Sequence, residues 1–514
     1  MFKKNFLNSV YLFFLGVISA FSLPPYNYFI INFVTFTLFF IFIFLERKKT
    51  FQTRYFFKHG WFFGFGYFLS GLYWISISLT FDETFKFLLP FAIILLPALL
   101  AIFYGIVTYL FSIFYSKKII VSFLLFSALF GSIELIRGFI FTGFPWNLIA
   151  FSFSDNKYFI QILSIIGTYS FNLICLSLFT CPAIFILRKS IKEIFVCIFF
   201  VSIAVSFFIF GIIKSDHFEK KKIEKLNYTI RVISPNVSLD KFYLIQDESK
   251  IINELITVSS PEPNKPTIFL WPEGIIPNSY LSEFNIYENL FSENFSSNHI
   301  IILGINSHEN INNKKLYFNS LAVFDNKLNL IDSYNKINLV PFGEFIPLEI
   351  FLGFMGFKTI TNDYQSFSRG YERKNMNIKN DKFNLKLLPL ICYEIIYSGK
   401  LFKNDDFDYI INISEDGWFG KSVGPKQHLA HSIFRSIENG KYILRSANNG
   451  ISAIINPLGT IEKKVKFENT GYIDFVEAKS SETTMFSLYG NKFFVLLILL
   501  YIFLIFSFNK FTNE

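Results

Sequence analysis

Eight apolar runs, each near the length of a bilayer span, divide this 514-residue chain. A hydrocarbon layer about 30 Å thick needs about 20 consecutive apolar helical residues to cross it. Such runs lie at 5–22, 27–45, 60–79, 87–115, 119–138, 160–187, 193–213 and 491–508. In lipid every backbone polar group must be satisfied internally, so runs this continuous predict helices. The first run follows Lys3 and Lys4, as a signal peptide would. Pro24 and Pro25 then lead directly into the second run, so the first is read as a retained span. Twelve Lys and Arg residues between Lys3 and Lys192 fall on one side of the alternating seven-span arrangement, against Lys86 and Lys157 opposite. Positive charge marks the cytoplasmic side, so the N-terminus is expected inside and residue 214 outside.

Composition agrees and excludes other classes. The chain is 52% hydrophobic and 17% charged, where soluble domains average about 25% charged. Disorder requires the opposite balance. Four cysteines in 514 residues cannot make a disulfide scaffold. The net charge of +9 clusters beside apolar runs and not in a basic stripe with interleaved aromatics, so nucleic acid is not an expected partner.

Three regions follow: an N-terminal transmembrane domain of about seven helices at 1–213, an extramembrane domain at 214–490, and a last span with a short tail at 491–514. The middle region is long enough for its own core. It reads as α/β. β-rich runs at 228–233, 267–270, 300–305, 321–324, 385–391, 409–413 and 451–455 alternate with helix-compatible stretches such as 247–257 and 427–439.

Cys175, Cys181 and Cys197 sit in apolar spans, where a small core residue is the ordinary reading. Cys392 is the one cysteine of the middle region. A lone thiol there is either buried and inert or reactive. It ends the apolar run Leu385–Ile391, and strand ends are where α/β enzymes place their site residues. Two further strand ends carry charge: Trp271-Pro272-Glu273, and Lys336 followed by Leu339-Val340-Pro341-Phe342-Gly343-Glu344. Singly, Glu273 and Lys336 read as surface ion-pair partners. Together with a strand-end thiol they form a coherent set. A thiol needs a base, which a carboxylate raised toward neutrality by burial supplies. An ammonium stabilises the oxyanion of a tetrahedral intermediate. A Cys–His pair is the competing option. His428 and His431 stand three apart on an expected helix, but no further ligand cluster accompanies them, so no metal is expected.

Trp271-Pro272-Glu273, Lys336 before the Leu-Val-Pro-Phe-Gly-Glu run, and Cys392-Tyr393-Glu394 resemble the Glu–Lys–Cys motifs of the nitrilase superfamily. With the spans, the chain resembles the bacterial apolipoprotein N-acyltransferase family over nearly its whole length. Glu134 to Gly138, Gly143 to Trp146, Asn412 to Gly420, Gly424 to His428 and Leu444 to Gly450 resemble further blocks of that family. The resemblance implies an αββα nitrilase-like sandwich beside a bundle of about eight transmembrane helices. It implies Glu273 as base, Lys336 as oxyanion-stabilising cation, Cys392 as nucleophile, and Glu344 as the carboxylate that orients Lys336. Tyr393 and Glu394 would shape the pocket, and Trp418 would lie on a substrate-contacting loop. Gly274 stands where a small polar residue is common in the family.

Glu134 and Arg137, three apart on one helix face, read as a structural clamp or a lipid-headgroup contact. Trp146 reads as an interfacial anchor, and Arg445 as an internal ion pair or a substrate-phosphate contact. The implied reaction moves an acyl chain from a phospholipid to a diacylglyceryl apolipoprotein through a Cys392 thioester, without a cofactor. Its expected setting is the periplasmic side of the bacterial inner membrane, and the chain is expected to be a monomer. The alternative is a membrane-tethered amidase acting on small amides. An apolar loop around 345–365, including Phe345, Ile346, Phe351, Leu352, Phe354 and Met355, is expected to dip into the bilayer.

Overall fold

A computed structural model describes residues 2–243, 247–311, 313–347, 366–399, 401, 406–480 and 482–510. They form two compact units. One comprises Met1–Ile77, Phe85–His217 and Thr484–Glu514; the other comprises Ser78–Thr84 and Phe218–Thr483.

The first unit is a helical bundle. Its long helices are α1 (Phe2–Ala20), α2 (Ile30–Arg47), α3 (Thr53–Leu72), α4 (Leu89–Phe114), α5 (Ile119–Arg137), α6 (Leu163–Leu187) and α7 (Ile191–Glu219), with Lys492–Lys510 after the second unit. Among the described residues, seven helices are long and apolar enough to cross a membrane, and a shorter apolar helix, Asn5–Ala20, precedes them. The protein is a multi-pass membrane protein. Helices α5 and α6 are the centre, with 72% and 78% of their apolar windows buried in protein, against 11% for α7 and for Lys492–Lys510. The last two present apolar side chains outward, which lipid solvates as well as a protein core does.

The second unit is a two-sheet sandwich. The first sheet contains β1 (Ile223–Ser234), β2 (Thr267–Leu270), β3 (Ile276–Tyr280), β4 (His299–Ile311), β5 (Lys314–Asp325), β6 (Leu330–Asn335) and a last strand, Gly471–Lys479. The second contains β7 (Met376–Lys379), β8 (Asn384–Ile391), β9 (Tyr409–Glu415), β10 (Ile443–Asn448), Ser452–Ile455 and Ile461–Val465. β1, β2 and β4 run parallel, as do β8, β9 and β10. Parallel strands covered on both faces read as continuous apolar runs, as in Thr267–Leu270, where every residue is buried. The Ser446 hydroxyl of β10 donates to the Ile233 carbonyl of β1 at 2.7 Å, tying sheet to sheet. Helix α8 (Glu248–Ser259) and helix α9 (Glu288–Asn294) cover the first sheet with Ile251, Ile252, Leu255 and Phe291. Helix α10 (Gly424–Asn439) packs on the second. This is the αββα arrangement, and its parallel strand ends point the functional side chains at one region.

Candidate active site

Three strand ends build the site. After β2, Trp271 is fully buried and its indole N–H donates to Ser259 Oγ at 2.9 Å, so the chain leaves the sheet rigidly through Pro272 to Glu273. A side chain at Gly304 on β4 would put its Cβ 2.6 Å from Glu273 Cα, so a glycine there is what lets this segment cross so closely. Gly274 has φ +53 and a Cβ there would press on Phe242 at 3.2 Å. A small polar residue at that position would meet both constraints, which accounts for the glycine. After β6, Lys336 is held by its backbone N–H, which donates to the Asn319 carbonyl at 2.9 Å. After β8, Cys392 opens the turn Cys392–Ile396 with φ +47. A non-glycine residue in the left-handed region costs on the order of 1–3 kcal/mol and persists where its surroundings impose it.

Lys336 Nζ lies 2.9 Å from Glu273 Oε1 and 2.9 Å from Glu344 Oε1. The amide of Asn319 donates to the same two oxygens, at 2.8 and 2.7 Å. One cation and one amide therefore bridge two buried carboxylates. Glu344 is placed by its own turn, where Oε2 accepts the Val340 N–H at 2.8 Å. Glu273 Oε2 accepts the Glu415 N–H at 3.0 Å.

The electrostatics correct one expectation. Burial pushes the Glu273 carboxyl up, but Lys336, the Asn319 amide and the Glu415 N–H outweigh it, and Glu273 stands below the ordinary carboxylate value. Glu344 is the raised one: burial and the Glu273 charge prevail over Lys336. Burial disfavours the Lys336 ammonium, yet Glu273, Glu344 and Cys392 hold it charged, well above its ordinary value. Burial, then Glu273, push the Cys392 thiol far up, while Lys336 and Ser414 act the other way. At rest the thiol keeps its proton and Glu273 is ionised. For this thiol to act as a nucleophile, that proton would have to move as it attacks.

Glu394 is fully buried and organises the strand ends. Its Oε1 accepts from the Tyr334 hydroxyl, the Ile337 and Asn338 N–H groups and Arg373, at 2.8, 2.9, 3.1 and 3.0 Å. Its Oε2 accepts the Ile391 N–H at 2.9 Å. One carboxylate thus joins the residue before Cys392 to the residues after Lys336, a support more than a pocket wall. Glu394→Gln would leave Arg373 without its counter-charge and one oxygen replaced by a donor. The expected result is a loss of about 100-fold in kcat, measured by steady-state kinetics, because misplacing a reacting group by about 1 Å costs that much.

Behind Cys392, His428 Nε2 lies 3.3 Å from the Cys392 carbonyl oxygen and Nδ1 lies 3.0 Å from Asp416 Oδ1. Arg445 is fully buried and donates to both Asp416 oxygens, at 2.9 and 2.7 Å, and to Asn412. Of the two readings of Arg445, the geometry is that of an internal ion pair. Burial raises Asp416, but Arg445 and His428 hold it well below the carboxylate range. Trp418 is half-buried, its ring 5.2 Å from Phe242 and 6.0 Å from Phe81. Tyr393 is buried with its ring 5.6 Å from Tyr397. Phe345 and Ile346 are described, but the remainder of the expected lipid-dipping loop, 348–365, lies outside the described residues.

Residues 15–181 match the family model described as the apolipoprotein N-acyltransferase N-terminal domain, and 269–475 match carbon-nitrogen hydrolase. An apolipoprotein N-acyltransferase of Rickettsia typhi is 32% identical over 96% of this chain and 96% of its own. One of Rhizobium rhizogenes is 30% identical over 89% and 88%. The chain belongs to the apolipoprotein N-acyltransferase family. Among solved structures, a carbon-nitrogen hydrolase from Helicobacter pylori is 14% identical with a TM-score of 0.34, over 50% of this chain and 89% of its own.

The family's N-terminal domain holds the other singled-out residues. Arg137 Nε donates to Glu134 Oε2 at 2.9 Å, and its Nη1 donates to the carbonyls of Phe144 and, at 2.9 Å, Trp146. Both charges are buried, at 0% and 2% exposure, in the geometry of a clamp on the loop after α5. Trp146 is 2% exposed with its ring 5.1 Å from Trp74, so it is packed inside this unit and not displayed as an interfacial anchor. Sequence reading missed Asn319, Arg373 and Lys241, and gave Glu415 and Asp416 no role beyond their place in the Asn412 to Gly420 block. For Asn319 a signal exists: Asn319-Ser320 interrupts an otherwise apolar buried strand.

Proposed function

We propose that this protein transfers a fatty acyl chain from a membrane phospholipid to the α-amine of a diacylglyceryl-cysteine at the N-terminus of an apolipoprotein. The bridged Glu273–Lys336–Glu344 cluster beside a strained, buried Cys392, in a multi-pass chain of this family, carries the reading. In the first half, Glu273 takes the thiol proton as Sγ attacks the ester carbonyl. Lys336 balances the oxyanion. The oxyanion collapses to a thioester, and the departing lysophospholipid alkoxide takes the proton from Glu273. In the second half, the amine attacks the thioester and passes a proton to Glu273. The thiolate leaves and is reprotonated, giving the amide and free enzyme in a ping-pong cycle. Glu344 keeps Lys336 oriented, and no cofactor takes part. The reaction runs as a monomer on the periplasmic side of the inner membrane, the side to which the positive-inside pattern directs 214–490.

Purified full-length protein incubated with phospholipid carrying a labelled acyl chain tests this. The expected result is a hydroxylamine-labile adduct on Cys392 by mass spectrometry, absent in Cys392→Ser and chased onto a diacylglyceryl peptide. An adduct that only hydrolyses points instead to a hydrolase, of the amidase or lipase kind. No adduct in suitable lipid overturns the mechanism.

A further inference from the structure

A second buried ammonium stands near Glu273 and has no part in the steps above. Lys241 lies in the short turn Leu239–Phe242 after β1. Its side chain is fully buried and its Nζ is 2.6 Å from Oε2 of Glu415, itself 2% exposed. The Glu415 carboxylate also accepts from Asn448 at 2.7 Å and from the Gly417 N–H at 3.1 Å. The Glu415 N–H is the donor that holds Glu273 Oε2, at 3.0 Å. Each partner adjoins an aromatic neighbour of the site. Phe242 follows Lys241, Trp418 is three residues beyond Glu415, and their rings lie 5.2 Å apart.

Burying a Lys–Glu pair is a poor route to stability, because well-packed apolar residues of the same volume are often as good or better. A pair kept at full burial against a carboxylate invites another role. We propose that Lys241 and Glu415 are positioning residues for the Glu273 carboxylate. Glu415 is anchored by Lys241 so that its N–H fixes Oε2, and Lys241 adds a second cation to the field around the base. Lys241 feels the Glu273 charge as well as that of Glu415. The charged and titratable groups facing Glu273 are then Lys336, Glu344, the Cys392 thiol, and Lys241 with Glu415. Of these, Lys241 and Glu415 are the ones that the acyl-transfer steps leave unused. The inference rests on the reading that Glu273 serves the Cys392 thiol.

The test follows alkylation of Cys392 by iodoacetamide in the full-length protein, read by peptide mass spectrometry across pH, and needs no lipid substrate. The thiol reacts when the Cys392–Glu273 pair holds a single proton, so the rate falls as pH drops through the Glu273 pKa. Removing a nearby cation raises that pKa. Lys241→Met should move the acid limb upward by about half a pH unit, roughly a threefold loss on the acid side. Adding Glu415→Gln removes the unpaired carboxylate and should return most of the shift. Lys241→Gln, which keeps a hydrogen bond to Glu415, should shift the limb in the same direction and serves if Lys241→Met does not fold. A purely structural pair would lower the yield or melting temperature and leave the limb in place. An unmoved limb in a folded Lys241 variant, or a shift that Glu415→Gln does not reverse, overturns this inference and leaves acyl transfer standing. A moved limb with no acyl adduct from phospholipid overturns acyl transfer and keeps the positioning role.

Discussion

Lys336→Met is expected to slow acylation of Cys392 by at least about 10³-fold while the protein stays folded. Methionine fills much of the lysine volume but brings no charge. Two losses combine. The oxyanion loses its cation, and removing one such donor costs about 10²- to 10³-fold. The proposed base is lost as well. Burial raises the Glu273 carboxyl, and Lys336 at 2.9 Å, together with the Asn319 amide and the Glu415 N–H, brings it below the ordinary carboxylate value. Without Lys336, two buried carboxylates share one Asn319 amide, and one of them retains a proton near neutrality. The sign follows. In the native protein, activity should be present above the depressed Glu273 pKa and lost as pH falls through it. In Lys336→Met the residual acid limb moves upward. Single-turnover labelling of Cys392 from labelled phospholipid, run from acid to alkaline pH, measures rate and limb together. A variant within tenfold of the native rate would remove Lys336 from the chemistry.

The second large effect is on stability. Arg445→Met leaves the Asp416 carboxylate, 0% exposed, with Ser414 and His428 as its side-chain partners among the described residues. Breaking a buried pair from one side costs about 3–5 kcal/mol. For a domain of this size that is a drop of about 10 °C in melting temperature. Asp416 is held below its unfolded value, so its contribution is present above the ordinary carboxylate range and lost as pH falls toward the folded pKa. The deficit of Arg445→Met should therefore shrink in acid. Replacing both partners with apolar residues should recover part of the loss, because no unpaired charge then remains. Thermal unfolding of the detergent-solubilised proteins at neutral and acid pH checks each point. Equal melting temperatures for the native protein and Arg445→Met would show that the pair adds nothing to stability.

Some of this was written in single segments of the chain. A bilayer demands long unbroken apolar runs, so the helices of the bundle are visible one at a time. Parallel strands buried on both faces are also contiguous, which made Thr267–Leu270 and Leu385–Ile391 readable along with Glu273, Lys336 and Cys392 at or near strand ends. What no segment could show is which distant groups meet. Asn319 reaches Glu273 across 46 residues, and Lys241 reaches Glu415 across 174. Neither pairing leaves a periodic trace. The direction of the Glu273 shift belongs to the same class. Burial of a carboxylate can be anticipated from an apolar motif, and alone it raises the pKa. The opposing amide comes from the middle of β5, the ammonium from just after β6 and the backbone N–H from the end of β9, and their sum exceeds burial. Likewise, Trp146 reads as an interfacial anchor until the chain folds back and packs it beside Trp74. Local pattern determined the elements and the residue types. Tertiary structure decided the charge state of Glu273, because Coulomb interaction depends on distance through space and not on separation along the chain.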